Sequence, residues 1–456
     1  MKHILFLIFF MALFSACKKS FLDKKPNNNL SIPNTLASLQ AMLDNQDIMK
    51  SGPSLGELST DDYQMDYTEW NNQSSVYTRN LYVWAPDIFE GTIDDYVKDY
   101  KVPYTAILTA NIVLDQLGTI QRTTENQTEW DKIKGSALFL RAFIEHQLAE
   151  VFALPYDESA DSSVLGIVLR RTSNVNVSSV RATLVNTYKQ ILQDAQEAAN
   201  LMPEEFPARN LNRGSKVAAL ALVARVNLAM RRYEAAGLAA DQALSIKSSL
   251  IDYNTLDTTV AMPFTRYNVE NIFYAQMVDC DPLIYVSYST GYSVDTLLYR
   301  SYAKNDLRKS LFYQWNGNYI NRKRFYSEAI TFNGLATDEL YLIRAESFAR
   351  AGNLSAAMND LNALMQTRWV HGTFVPYTAA SAVEALSLIL MERRKELTGR
   401  GIRWSDIRRL NKEGYNITLK RVLNGKEYLL PPNDRRYALP FPPEVLVQSG
   451  IQQNIR

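Results

Sequence analysis

Two stretches of this 456-residue chain echo each other at a spacing that few folds accommodate. Placing Ala224 on Ala345 aligns Leu220 with Tyr341, Ala236 with Ala357, Ala240 with Leu361 and Ala243 with Leu364. Each stretch carries two small residues twelve apart, separated by a short turn: Met230-Arg231-Arg232-Tyr233 in one, Ala351-Gly352-Asn353-Leu354 in the other. Small side chains on two antiparallel helices let the backbones approach closely. The spacing therefore predicts a helix pair, and its recurrence predicts a stack of such pairs. Chance likeness between two alanine-rich helices is the competing reading.

Helical period recurs along the chain. Ile107, Ile112, Leu114 and Leu117 belong to one apolar stretch. Trp130 to Phe152 forms another, through Ile133, Ala137, Leu140, Ile144, Leu148 and Val151, and Thr187–Leu201 and Ala218–Leu244 follow. The predicted fold class is all-α, with tetratricopeptide-like helix pairs forming one large domain over 36–456. Its N-terminal part spans about 36–250, its C-terminal part about 251–456, and long ligand-binding loops sit between the helices. With 46% hydrophobic residues the chain has ample material for a core. Lys and Arg number 49 against 48 Asp and Glu, so the basic excess of a nucleic-acid reader is missing.

The first residues read as a targeting segment. Lys2 and His3 precede an apolar run from Ile4 to Leu13, too short for the roughly 20 residues that span a bilayer. The sequence Leu13-Phe14-Ser15-Ala16-Cys17 is similar to a bacterial lipobox, which makes 1–16 a signal peptide, Cys17 an acylated first residue and 17–35 a polar tether. Only Cys17 and Cys280 are present, so a disulfide framework is excluded. With His3, His146 and His371 the only histidines, a multi-histidine metal site is excluded too; no metal or cofactor site is assigned, and a carboxylate calcium site remains open.

Residues 51–100 and about 251–335 are rich in Tyr, Asn, Asp and Gly with little helical period, which predicts ordered loops or short strands. Trp70-Asn71-Asn72-Gln73 in the first, and Tyr285, Tyr288, Tyr292, Trp315, Asn316 and Asn318 in the second, combine aromatic planes with side-chain amides. Sugars pack their C–H faces on rings and direct hydroxyls to such amides. Trp70 and Trp315 are the leading stacking candidates, with Asn71 and Asn316 beside them, whereas Trp130 and Trp404 fall in structural motifs. Asp61-Asp62-Tyr63 supplies further candidates in Asp61 and Tyr63, for loop structure, ligand hydrogen bonding or cation binding. Glu392 and Glu396 share a helix face amid Arg393, Arg394, Arg400, Arg403, Arg408 and Arg409. A glycosidase needs two carboxylates astride a bond, one of them protonated, and these arginines favour ionised acids in an ion-pair network instead. No P-loop or H-E-x-x-H occurs.

An ordered series of motifs covers nearly the whole chain. Phe21-Leu22-Asp23-Lys24-Lys25-Pro26 is followed by Tyr104-Thr105-Ala106-Ile107 with Ala110-Asn111, by Leu140-Arg141-Ala142 and by Gly166-Ile167-Val168-Leu169. Then come Val180-Arg181-Ala182-Thr183, Leu222-Val223-Ala224-Arg225-Val226, Asp306-Leu307-Arg308 and Leu342-Ile343-Arg344-Ala345-Glu346. Glu392-Arg393-Arg394-Lys395-Glu396-Leu397, Arg403-Trp404-Ser405-Asp406, and Leu439-Pro440-Phe441-Pro442 close the series. In this order they resemble the SusD/RagB surface lipoproteins of Bacteroidetes. The resemblance implies four tetratricopeptide-like helix pairs and a SusC-like TonB-dependent transporter as partner. It also implies an outer-membrane, cell-surface location held by the lipid anchor. The implied function is non-enzymatic capture of oligosaccharides, with peptides as the alternative ligand and glycoside hydrolysis as a remote one. Several members of that family carry Trp near the start of the helix containing Tyr104, where this chain has Tyr100, which makes Tyr100 a further ligand-binding candidate.

Overall fold

The structure is a computed structural model that describes residues 33–49, 51–91, 98–204, 206, 210–278, 289–324 and 331–456. The leader, Cys17, Cys280, Tyr285 and Tyr288 lie outside the described residues.

Among the described residues, nine helices form the frame: α1 (Lys98–Leu117), α2 (Gln127–Phe152), α3 (Leu184–Leu201), α4 (Lys216–Ala229), α5 (Tyr233–Ile246), α6 (Thr337–Arg350), α7 (Leu354–Gln366), α8 (Ala382–Glu396) and α9 (Arg403–Asn411). Successive members pack from α1 through to α7, with α5 against α6 joining the two echoed stretches, and α8 lies on α6. The helices begin where polar side chains satisfy exposed amides. Thr183 accepts from Asn186 N, Ser215 from Ala218 N, Asn353 from Ala356 N and Ser381 from Glu384 N. One apolar core runs through Ile107, Phe139, Ile144, Tyr188, Leu222 and Ile343, and a second gathers Leu342, Leu361, Leu364 and Ile389. Each such fully buried aliphatic side chain contributes about 1.5–3 kcal/mol.

The predicted helix pairs are present. Ala224, Ala236, Ala345 and Ala357 are all fully buried. The two turns match bond for bond. Arg232 N donates to Asn227 O and Asn353 N to Phe348 O, each at 2.9 Å, while Arg231 and Gly352 both adopt left-handed backbone, with φ of 60° and 78°. Glycine is at ease there and arginine is not; Arg231 donates through Nη1 to Tyr156 O at 2.8 Å.

Short strands organise the loops. Strands β1 (Tyr63–Met65) and β2 (Tyr292–Val294) are antiparallel, with Tyr63 opposite Val294 and Met65 opposite Tyr292. Strands β3 (Tyr313–Asn316) and β4 (Tyr319–Arg322) form a hairpin through Gly317, whose φ is 60°. Side chains tie the two pairs together: Ile320 N donates to Ser293 Oγ at 3.1 Å, and Asn321 Nδ2 to Tyr292 O at 3.1 Å. The two loop stretches singled out in the sequence thereby become neighbours.

The arginine-rich C-terminal helices are stapled from within. Arg308 reaches Asp306 at 2.7 Å, Glu392 at 2.5 Å and Glu396 at 3.0 Å, all with fully buried side chains. Arg368 pairs with Glu270 and Glu396 at 2.7 Å, and Arg409 with Glu346 at 2.7 Å. In Glu392 burial opposes ionisation, but Arg308 and Lys395 outweigh it and hold the carboxyl below the usual range. Glu392 and Glu396 therefore sit in an interior ion-pair network. Among the described residues no helix is long and apolar enough to cross a membrane.

Candidate functional site

An open groove of about 650 Å³ lies where β1, β2 and the β3–β4 hairpin meet. Gln64, Asp66, Tyr299, Arg300, Trp315, Asn318 and Tyr319 line it. Trp315 is 63% exposed, the most solvent-accessible large aromatic among the described residues. Its indole is held without being covered: Nε1 donates to the Tyr299 hydroxyl at 3.2 Å, and the two rings stand edge to face, 5.8 Å apart at 86°. The local cause is strand periodicity. Tyr313 and Trp315 are two residues apart on β3 and share a face, and Tyr299 contacts both rings. Tyr313 goes into the core at 3% exposure and Trp315 projects beyond it.

Asp66 also lines the groove. Its Oδ1 caps the short helix Tyr67–Asn72 by accepting from Glu69 N at 2.8 Å, and its Oδ2 accepts from the Tyr319 hydroxyl at 2.8 Å. That second bond fastens residue 66 to the hairpin tip. The result is a trough with aromatic rings at one side and amide, carboxylate and guanidinium groups around its rim. A flat, hydroxylated ligand matches such a lining.

The structure distributes the sequence candidates unevenly. Trp315 and Asn316 belong to the hairpin that forms the groove. Trp70 is half-buried on the neighbouring short helix, with Nε1 donating to Arg79 O at 3.1 Å and its ring 6.0 Å from Tyr67, and Asn71 beside it is exposed. Four candidates are engaged by the protein itself. Asp61 makes two bonds to Arg403, at 2.8 and 2.9 Å, and lies 3.2 Å from Arg394; burial opposes its ionisation, but these cations overcome that and hold it well below the usual carboxylate range. Tyr63 is 5% exposed and donates to Leu58 O at 2.9 Å. Tyr292 is fully buried, its hydroxyl accepting from Gln73 Nε2 at 2.6 Å. Tyr100 packs away from the groove, 4.3 Å from Tyr104 and edge-on to Phe152 and Phe441, and burial pushes its hydroxyl up to about 12. Tyr63 and Tyr292 are buried, a correction to the surface expected of them, while Asp61 and Tyr100 are half-buried with the contacts named above made inside the protein. Asp66, Tyr299, Arg300 and Tyr319 were not among the leading candidates. The available signal was the tyrosine series around the hairpin and the Asp66-x-x-Glu69 start of a short helix. Trp404, 1% exposed, packs on Tyr437 in the interior.

Comparison with known proteins gives this geometry a context. Residues 20–228 match the family profile described as starch-binding and associating with the outer membrane, and residues 257–443 match that of the SusD family. Among solved structures, a SusD superfamily protein from Bacteroides thetaiotaomicron VPI-5482 superposes with a TM-score of 0.74 at 21% identity, covering 92% of this chain and 100% of its own. A SusD-like carbohydrate binding protein from Bacteroides vulgatus ATCC 8482 gives 0.69 at 19% identity, over 91% and 97%. A laminarin binding SusD-like protein gives 0.66 at 17%, over 92% and 98%. At these identities the likeness establishes the fold. No curated protein sequence matches the chain.

Proposed function

Because this chain belongs to the SusD family, we propose that it is a non-enzymatic, glycan-binding surface lipoprotein that captures oligosaccharides and delivers them to a TonB-dependent outer-membrane transporter. The observation that carries the reading is the exposed Trp315 indole, braced by Tyr299 at the side of an open groove. A pyranose offers a C–H face and a hydroxyl edge. The indole takes the face, and Gln64, Asp66, Arg300 and Asn318 stand around it for the edge. A neighbour of the same fold is described as laminarin-binding, which supports a saccharide ligand. Acylation at Cys17 provides the membrane attachment, and the short apolar run before it supports that role. Metabolic labelling with a clickable fatty acid should mark the wild type and not Cys17→Ala. Glu392 and Glu396, the acids with glycosidase-like spacing, are committed to Arg308 and Arg368 in the interior, which supports binding without cleavage.

The test is calorimetric titration of wild type and Trp315→Ala with the tightest-binding member of an oligosaccharide panel that includes laminarin fragments. Loss of a central aromatic anchor commonly costs more than 1 kcal/mol, so affinity should fall at least about fivefold. Equal affinity in the variant contradicts the site, and retention of peptides instead of glycans contradicts the ligand.

A further inference from the structure

The two charged side chains of the groove differ in what already holds them. Both oxygens of Asp66 are engaged, one by Glu69 N and the other by the Tyr319 hydroxyl, each at 2.8 Å. Arg300 lines the same groove, is exposed, and has no carboxylate or carbonyl partner among the described residues. This is unlike the arginines of the interior, where Arg308 alone meets three carboxylates. A second cation stands against the Tyr299 ring. Lys309 Nζ is 4.9 Å from the centroid of the Tyr299 ring, while its bond to Tyr302 O at 3.1 Å fixes its position. Of the two charged groups lining the groove, Asp66 is already satisfied, and Arg300 is left without a carboxylate or carbonyl partner among the described residues.

We infer that the groove selects acidic oligosaccharides, with Arg300 receiving a carboxylate or sulfate of the sugar seated on Trp315. The inference rests on the glycan-binding reading above and names the substrate class within it. A planar guanidinium presents paired N–H donors that match the two oxygens of an oxyanion, and charge-assisted bonds of this kind are about twice as strong as neutral ones. A neutral sugar offers Arg300 single hydroxyls only. Asp66 lines the same groove with both oxygens engaged, so the guanidinium is the charged group left for the ligand.

The experiment uses the mature full-length chain on an array of neutral, uronate-containing and sulfated oligosaccharides, followed by titration of the best ligand. The expected result is retention of one acidic class, with the array separating uronate from sulfate. Arg300→Ala should weaken that ligand at least about tenfold, the value of one charge-assisted contact, and Arg300→Lys should lose less. Carboxyl-reduced or desulfated ligand should bind more weakly and show no response to Arg300→Ala. Because Arg300 is exposed, its variants should melt with the wild type. Preference for neutral glycans, lost with Trp315→Ala but not with Arg300→Ala, overturns the acidic selection and leaves the glycan reading standing. Retention of no glycan by the wild type overturns both.

Discussion

Two clusters of aromatic and charged residues draw on the same stretch of chain, residues 299–315, and behave in opposite ways. Around Arg308, Tyr302 and Tyr313 are buried with their hydroxyls 3.0 Å apart, Tyr302 also donates to Lys395 O at 2.7 Å, and every carboxylate of the cluster faces a cation. In the groove, Tyr299 and Trp315 are built from the same residue types, yet the indole is open to solvent and Arg300 has no carboxylate or carbonyl partner among the described residues. The first cluster satisfies itself and holds the fold. The second leaves donors, acceptors and a ring face for something else. Composition does not separate them; partner state and exposure do.

The contrast is tested most severely at Arg308. Arg308→Ala leaves Asp306, Glu392 and Glu396 buried around an absent cation, and such breaks cost about 3–5 kcal/mol. Urea unfolding should show that loss, whereas a small change would mean that the network is solvated and closer in character to the groove.

A packing probe of the same interior follows. Ala345 is fully buried at the helix-pair contact, so Ala345→Leu should overpack it and lower stability by about 1–3 kcal/mol, as should Ala224→Leu. Unchanged melting temperatures for both would contradict the paired-helix scaffold. Gly352→Ala isolates the backbone. No atom lies within 4 Å of a Cβ added there, yet φ is 78°, so the expected loss of about 1–2 kcal/mol comes from conformation alone.

Titration probes the interior at another buried acid. Burial pushes the Glu145 carboxyl up to about 7 even though Arg171 lies 2.8 Å away. Because the folded value exceeds the ordinary 4.5, this group's contribution is complete below about pH 4.5 and is lost as pH rises through 7. Stability should therefore decline between about pH 5 and 8, with a slope of at most about 1.4 kcal/mol per unit for one proton, and Glu145→Gln should reduce that slope. An identical pH profile in the variant would exclude Glu145 as its source. Trp315→Ala, at the exposed end of the comparison, should change stability by no more than about 0.5 kcal/mol.

The scaffold was legible in the sequence because its signals are local: small residues twelve apart, a turn between them and a 3.6-residue period. Even the left-handed turn at Arg231 could be placed from its partner at Gly352. The groove was legible only in part. Trp315 and Asn316 stood out as an aromatic and an amide outside helical periodicity, but Asp66 and Tyr319 meet across 253 residues of sequence, and no local pattern announces the pairing of β1 with β2. The same non-local pairing buried Tyr292 and Tyr63, whose composition alone resembled that of the exposed residues.

The most direct measurement is a crystal structure of the chain with the oligosaccharide it binds most tightly. The account predicts a sugar ring lying on the Trp315 indole, beside Tyr299 and within hydrogen-bond reach of Arg300, with the interior network around Arg308 unchanged. A ligand seated elsewhere, with Trp315 still facing solvent, would contradict it.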